Sequence, residues 1–435
     1  MRSSCQSPRL MILGGSTSQI PLIKRAQEMG FYTIVADQNI QAEGCKIADS
    51  CCLASTFDPD AVSESARRHK VHAISTSGTD QPVLTAAIAA ERLGLANQHS
   101  VKTALQLTNK KDMKNKFMQA NIPCLNWLAI HSKRELKESA TKQQLQNLHL
   151  PWIIKPADSQ GQRGIKIIYS HRELASAFKH SMQFSRSGCV IIEEYYPSQE
   201  VTISGWAHSP TECEIWTISD RLTFPNKHFP GICFAHRFPS EAATDLKPEI
   251  IKISQDICRA FSLSHTPLYF QFLIGSKGIM VNEIAGRLGG AYEDEWIPLV
   301  AGKDILFQQL QCIAQKIGYQ LPKQAKPKIP KTQSNFALIP LLFSQKGKIS
   351  SYQGMNTLKN LPGVHSAAFL QQAGTRIQSM HNSSQRAGYA ILAGNSANQL
   401  NTLSDTLFNT LKINNSCGKN LLIDVRVETR FTSDV

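Results

Sequence analysis

Lys155 leaves an apolar stretch, Trp152-Ile153-Ile154, and enters the polar run Pro156-Ala157-Asp158-Ser159-Gln160-Gly161-Gln162-Arg163-Gly164. A lysine delivered by a buried strand is costly unless it meets an anion. Gly161 and Gly164 let the loop expose backbone N–H groups, and Arg163 adds a fixed cation, so the loop is suited to folding over a polyphosphate. A hairpin with a solvated tip accounts for the same residues. Three carboxylates follow, Glu193, Glu194 and Glu200, seven residues apart from first to last. They either line one cleft or sit on the surface and cap a turn. Gln271 and Glu283 fall on the two arms of a hairpin, with Arg287 four residues on. An amide oxygen and a carboxylate on adjacent strands suit Mg²⁺, which takes hard oxygen ligands and keeps phosphate oxygens and waters for the rest. A cross-strand polar pair is the plainer alternative.

These groups need elements to position them. Leu10–Leu13 reads as a strand, Gly14-Gly15-Ser16 as a turn, and Ile20–Met29 as a helix stopped by Gly30. Strands at Tyr32–Ala36 and Ala73–Ser75 alternate with helices at Pro59–His69 and Gln81–Leu93, the mark of a parallel sheet covered on both faces. The glycine turn is not Gly-x-Gly-x-x-Gly, so a nicotinamide enzyme is not supported. A lysine-rich helix is expected over Thr108–Ala120. Strands follow at Ile165–Tyr169 and Val190–Tyr196, then the alternating Val201–Ser204. Tyr269–Ile274 and Ile279–Ile284 flank Gly275-Ser276-Lys277-Gly278 as a hairpin. Prolines 322, 327 and 330 and four lysines mark a solvated linker near 321–333. Short strands and helices resume after 334.

The chain has 435 residues, 42% hydrophobic and 18% charged, which excludes wholesale disorder. Its formal charge is +14. That excess admits anionic partners without choosing among them, and the spread of the basic residues does not favour nucleic acid. Apolar runs fall short of the ~18–20 residues that cross a bilayer, so no membrane association is expected. The polar start is no secretory leader, and Met11 makes residues 1–10 a candidate extension. Eleven cysteines without metal spacing read as reduced thiols of a cytoplasmic protein, and a zinc site is not expected.

Taken in order, the basic helix, the strand-lysine-glycine loop, the acidic hinge and the hairpin ending in Arg287-Leu288-Gly289-Gly290 resemble the ATP-grasp superfamily. Its members include biotin carboxylase, D-alanine–D-alanine ligase, carbamoyl-phosphate synthetase and the purine-pathway carboxylate-amine ligases. The resemblance implies a mixed α/β and α+β architecture: a Rossmann-like domain over 1–102, a two-lobed grasp module over 103–320, a linker over 321–333, and a small α+β ligase-like domain over 334–435. It implies Mg²⁺ and ATP as cofactors, a small carboxylate and an amine as substrates, and a homodimer as a candidate assembly.

Carried over by motif, the resemblance makes Lys110 and Lys155 the nucleotide-phosphate lysines and Gly161–Gly164 the closing loop. Glu193 would receive the adenine amino group, Tyr196 would stand at the hinge, and Glu200 would bind ribose. Gln271 and Glu283 would carry the metal, and Arg287 would steady an acyl phosphate. Two positions depart from the pattern. Gln271 stands where many relatives have Glu, and Ala285 stands where Asn is expected. The second departure motivates an alternative, an ATP-binding regulatory module that has lost catalysis; a bicarbonate-using carboxylase is another. The insert holding Asp220, Arg221, His228, His236 and Arg237 is the expected acceptor pocket, with Arg237 holding a substrate carboxylate and Gly289 and Gly290 facing it. A loop buttressed by Phe224, Phe229 and Phe234 explains the insert equally well.

Overall fold

The computed structural model describes residues 7–225, 231–378, 380 and 382–432. His228 and Phe229 lie outside the described residues. The chain opens as β1 (Arg9–Leu13), α1 (Ile20–Glu28), β2 (Tyr32–Asp37), α2 (Glu43–Ile47), β3 (Ser50–Leu53), α3 (Pro59–Arg68), β4 (Ala73–Ser75) and α4 (Gln81–Leu93). The four strands form a parallel sheet in the order β3-β2-β1-β4. Arg9 and Leu10, read as part of an expendable extension, belong to β1, and Leu10 is fully buried. Strand pairing starts there because Arg9 meets Tyr32 across the ladder.

One helix was expected over Thr108–Ala120; two are found, α5 (Val101–Thr108) and α6 (Lys110–Gln119). Asn109 separates them in an extended conformation, and its side chain accepts from Lys111 N–H at 3.0 Å. Asn is a strong N-cap because its oxygen satisfies a donor that the first helical turn leaves unpaired. The cap makes Lys110 the first helical residue.

A small antiparallel sheet, in the order β5-β8-β6-β7, follows from β5 (Trp127–Ile130), β6 (Trp152–Pro156), β7 (Lys166–Ile168) and β8 (Val190–Glu194). Helices α7 (Ser139–Gln146) and α8 (Leu174–Met182) complete this lobe around Trp152. The larger sheet is built from β9 (Ser198–Ser209), β10 (Glu212–Thr223), β11 (Cys233–Phe238), β12 (Thr266–Gly275), β13 (Gly278–Ala285) and β14 (Phe336–Leu342), with strands Gly388–Gly394 and Val364–Phe369 beyond. Its order is β13-β12-β9-β10-β11-β14, then 388–394, then 364–369. Helix α9 (Lys247–Phe261) covers one face through Ile250, Ile257 and Phe261. The sheet therefore runs without a break from the hairpin into the chain after 334, because β11 pairs with β14.

Helices α10 (Glu293–Ala301) and α11 (Ile305–Lys316) lead into the 321–333 stretch. That stretch is fastened rather than merely solvated. Asp304 accepts from Arg25 at 2.7 Å and from Lys328 N–H at 2.8 Å, and Lys326 O accepts from Arg25 at 2.7 Å. The expectation of reduced thiols fails for one pair: Cys45 and Cys51 are disulfide-bonded. β3 lies alongside β2, and α2 brings the two Cα atoms to 5.3 Å, within bridging range. Among the described residues, no helix is long and apolar enough to cross a membrane.

The buried start of α10 carries a pH dependence. Burial, with Glu295 and Glu293 beside it, pushes the Asp294 carboxyl up to about 8 from 3.8. The folded chain thus holds a proton that the unfolded chain releases between those values, so this group's contribution to stability falls as pH rises from about 4 to 8. Asp294→Asn should raise the urea midpoint more at pH 8 than at pH 5. Equal shifts at both values would reject the assignment.

Candidate active site

The site forms where the small lobe, the hairpin and the first domain meet. Helix α6 presents Lys110 and Lys114, one turn apart on one face. Like charges at this spacing repel unless each meets an anion, and each does. Lys110 Nζ lies 3.0 Å from Glu283 Oε1 and donates to Ser159 O at 2.9 Å. Its backbone N–H reaches Ala157 O at 2.7 Å, so the helix start and the glycine loop are tied together. Lys114 Nζ lies 2.5 Å from Glu193 Oε2, and Lys155 Nζ lies 3.2 Å from Glu193 Oε1. Lys155 also reaches Asn282 Oδ1 at 3.4 Å.

These contacts set the charges. Burial disfavours the Lys110 ammonium, but Glu283, Asp80 and Asp158 outweigh it and hold its pKa above the ordinary lysine value. Lys155 goes the other way: burial, with Lys114 and Lys110 repelling it, outweighs Glu193 and pulls it down. A further anion beside it would oppose that pull. Burial raises the Glu283 carboxyl, but Lys110, Lys155 and Arg287 bring it below its usual range.

Glu193 does not stand free for an adenine amino group. It is 1% exposed and both its oxygens are taken by lysines. Strand alternation explains this: β8 turns Val190 and Ile192 into the lobe core and Glu193 to the opposite face, toward Lys155 on the neighbouring strand β6 and Lys114 on α6. Tyr196 is buried, and its hydroxyl pins the hairpin turn by accepting from Lys277 N–H at 2.7 Å and donating to Gly278 O at 2.9 Å. Glu200 is bound by Arg221 at 2.5 Å, and the pair lines a cleft of about 290 Å³ with Asp220, Arg237 and Glu241.

Gln271 and Glu283 are direct cross-strand partners, as the hairpin reading requires, and a bulge follows Gln271. The donors here are one carboxylate with the amides of Gln271 and Asn282. That set fits a Mg²⁺ that takes most of its oxygens from phosphates. Ala285 is buried opposite Tyr269 and offers no donor.

Arg287 is held by Asp80 of the first domain, through Nε at 2.7 Å and through a second guanidinium nitrogen. It also donates to Leu288 O at 2.9 Å and lies over Tyr269. Gly289 is buried; a Cβ there would collide with Glu293 and Tyr269. Gly290 is exposed and packs against Gly78 O.

Arg237 is not available to a substrate carboxylate. It donates to Asp220 Oδ2 at 2.9 and 2.7 Å, pairs with Glu241 at 2.9 Å, and donates to Arg430 O. β11 points it to the same face as its cross-strand partner Asp220, where these acceptors saturate it. Arg237→Met should therefore cost about 3 kcal/mol of stability, the scale of breaking a buried pair. Any residual turnover should show an unchanged KM for every substrate; a KM raised tenfold for one substrate with normal stability would restore the substrate role.

Arg386 lies beside Gly290. It donates to Gly290 O at 3.2 Å and lies over Tyr292, while its Nε is buried without a partner among the described residues. Nothing local in Ser384-Gln385-Arg386 signals this, because the chain returns from nearly a hundred residues away. Asp80 had a signal. It precedes α4 as a capping aspartate would, yet its side chain makes no cap bond. Lys114 had one too, in its spacing from Lys110.

The chain is similar to known proteins in several ways. Residues 117–218 match the family model described as D-ala D-ala ligase C-terminus, and residues 341–416 match L-amino acid ligase C-terminal domain 2. A crystal structure of L-amino acid ligase from Bacillus licheniformis superposes with a TM-score of 0.76, covering 94% of this chain and 99% of that one at 14% identity. The chain has the ATP-grasp fold. Phosphoribosylglycinamide synthetase from Anaerococcus prevotii shares this ATP-grasp architecture, with a TM-score of 0.70, the same coverages and 19% identity. The L-arginine-specific L-amino acid ligase of Bacillus subtilis is 25% identical over 224 residues, covering 50% of this chain and 52% of that protein. The matched parts span little more than half the length of the curated relatives.

Proposed function

We propose that this ATP-grasp protein is an ATP-dependent ligase. It activates a small carboxylate as an acyl phosphate, joins it to an amine, and releases ADP and phosphate. The observation that carries the reading is the convergence of Lys110, Lys155, Glu283 and the glycine loop, with Arg287 near enough to help hold the Glu283 carboxyl below its usual range. Phosphoryl transfer needs positioning and charge neutralisation more than covalent help. A substrate carboxylate oxygen attacks the γ-phosphorus and ADP leaves. The amine then attacks the acyl carbon, and phosphate leaves as the amide forms.

In this reading Lys110 and Lys155 bind phosphates, and the Gly161–Gly164 loop excludes water, since a wet acyl phosphate hydrolyses. Mg²⁺ held by Glu283 and Gln271 would neutralise charge on the transferred phosphate. Lys110 would then exchange Glu283 for phosphate oxygens. Glu200 would exchange Arg221 for ribose hydroxyls, and the backbone at Tyr196 would meet the adenine edge. Arg287 would steady the acyl phosphate, and Gly290 and Arg386 would wall the acceptor pocket.

The test is phosphate release from Mg-ATP against pools of amino acids, small carboxylates and bicarbonate, with mass spectrometry of active wells. Release in an amino-acid or carboxylate pool with an amide product supports the ligase. Release with bicarbonate alone supports a carboxylase. Nucleotide binding with silence in every pool supports the regulatory module suggested by Ala285.

A further inference from the structure

Three consecutive residues of the glycine loop touch three different elements, and each of those elements holds one arginine, Arg287, Arg386 or Arg221. Gln160 Oε1 accepts from Asp80 N–H at 2.7 Å, and the Asp80 carboxylate holds Arg287. Gly161 O accepts from Ser383 N–H at 3.3 Å. Ser383 opens a short 3₁₀ turn, Ser383–Gln385, capped by Asn382, and Arg386 follows it directly. The Gln162 side chain packs on Gly231, where an added Cβ would lie 3.2 Å from it, and Gly231 O accepts from Arg221 at 2.9 Å. Gly161, Gln162 and Gly164 all have positive φ, at 67°, 66° and 78°. For Gln162 this is an uncommon conformation, held here by what it packs against.

We propose that Gln160, Gly161 and Gln162 form a coupling strip: when the glycine loop closes, it positions Arg287, Arg386 and Arg221 together. Gln160 and Ser383 are positioning residues, acting through Asp80 and through the capped turn. The proposal rests on the reading that nucleotide binds beneath this loop. Its consequence is reciprocal. A nucleotide that favours the closed loop sets the arginines, and a ligand that engages the arginines tightens nucleotide binding by the same factor.

Two substitutions cut single links. Gln160→Met keeps length and removes the acceptor. Ser383→Pro removes the N–H at the first position of a capped turn, where proline is tolerated, and Asn382 before it is already extended. Ser383→Ala and Gln160→Glu keep the linking atoms and serve as rescues. Hydrogen exchange is read with and without Mg-ADP as the probe.

In the wild type, Mg-ADP should slow exchange in the loop, at Asp80 and over 384–388. Gln160→Met should lose the slowing at Asp80 alone, and Ser383→Pro over 384–388 alone, while the rescues behave as wild type. Where a substrate pool is active, saturating substrate should tighten Mg-ADP binding to the wild type about 5–150-fold, the range of a typical coupling, and each cut should reduce that factor. Slowing that survives both cuts, or is absent from Asp80 and 384–388 while the loop is protected, overturns the proposal. If Mg-ADP does not bind at all, the ligase reading falls. The strip is then judged in the free protein, where Gln160→Met must speed exchange at the Asp80 amide or the proposal falls too.

Discussion

Glu283→Ala should lower turnover of Mg-ATP in the proposed ligase reaction by about 10²–10³-fold, the scale of losing one contact that is strongest in the transition state. The expectation follows from its neighbours. Glu283 faces Gln271 across the hairpin, lies 3.0 Å from Lys110 Nζ, and is held ionised by Lys110, Lys155 and Arg287 despite burial. Removing it takes away the one carboxylate of the proposed metal set. It also leaves Lys110 buried with its principal counter-ion gone, so burial then disfavours the ammonium that would meet phosphate. Both effects weaken charge neutralisation at the transferred group. Glu283→Gln separates them from packing, because it keeps the shape and removes the charge. It should lose nearly as much turnover as the alanine variant, and because it too strands Lys110 its urea midpoint should fall by a similar amount. Turnover within tenfold of wild type in the glutamine variant would falsify the metal role.

Glu193→Ala has the largest expected effect on stability, about 3–5 kcal/mol, because it strands two buried cations. Lys114 and Glu193 are each about 1% exposed and Lys155 4%. Lys155 is already pulled below its usual range by burial and by the other lysines, with Glu193 opposing that pull. Lys114→Met should cost less, since Glu193 then keeps Lys155. The check is the urea midpoint at constant slope. The pH dependence has a definite sign. Burial raises the Glu193 carboxyl, but Lys114 and Lys155 outweigh it and bring it below its normal value. Its contribution is complete above the unfolded carboxylate range and is lost as pH falls through the lower folded value. The gap between wild type and Glu193→Ala should therefore be full at pH 7 and close in acid. A gap of under 1 kcal/mol at pH 7 would mean that water or rearrangement compensates the lysines.

Local chemistry determined much of this protein. The alternating strands and helices of the first domain, the Lys155 strand with its glycine loop, and the hairpin that pairs Gln271 with Glu283 are all short-range consequences of periodicity and turn residues. The pairing of a lysine with a carboxylate near the hairpin was implicit in the types of residue present. Yet the partners themselves were not. Glu193 looks like a ligand carboxylate in sequence and is the counter-ion of Lys114 and Lys155 in the fold. Arg237 looks like an anion receptor and is saturated by Asp220 and Glu241, while Arg386 lies beside Gly290. Asp80, at a helix start, reaches across 207 positions to Arg287. The division has a physical cause. Helix and strand patterns depend on neighbours a few residues away, whereas a charged side chain takes whichever opposite charge the folded chain leaves within a few ångströms. That choice is made only when the first domain, both lobes and the strands beyond 334 come together.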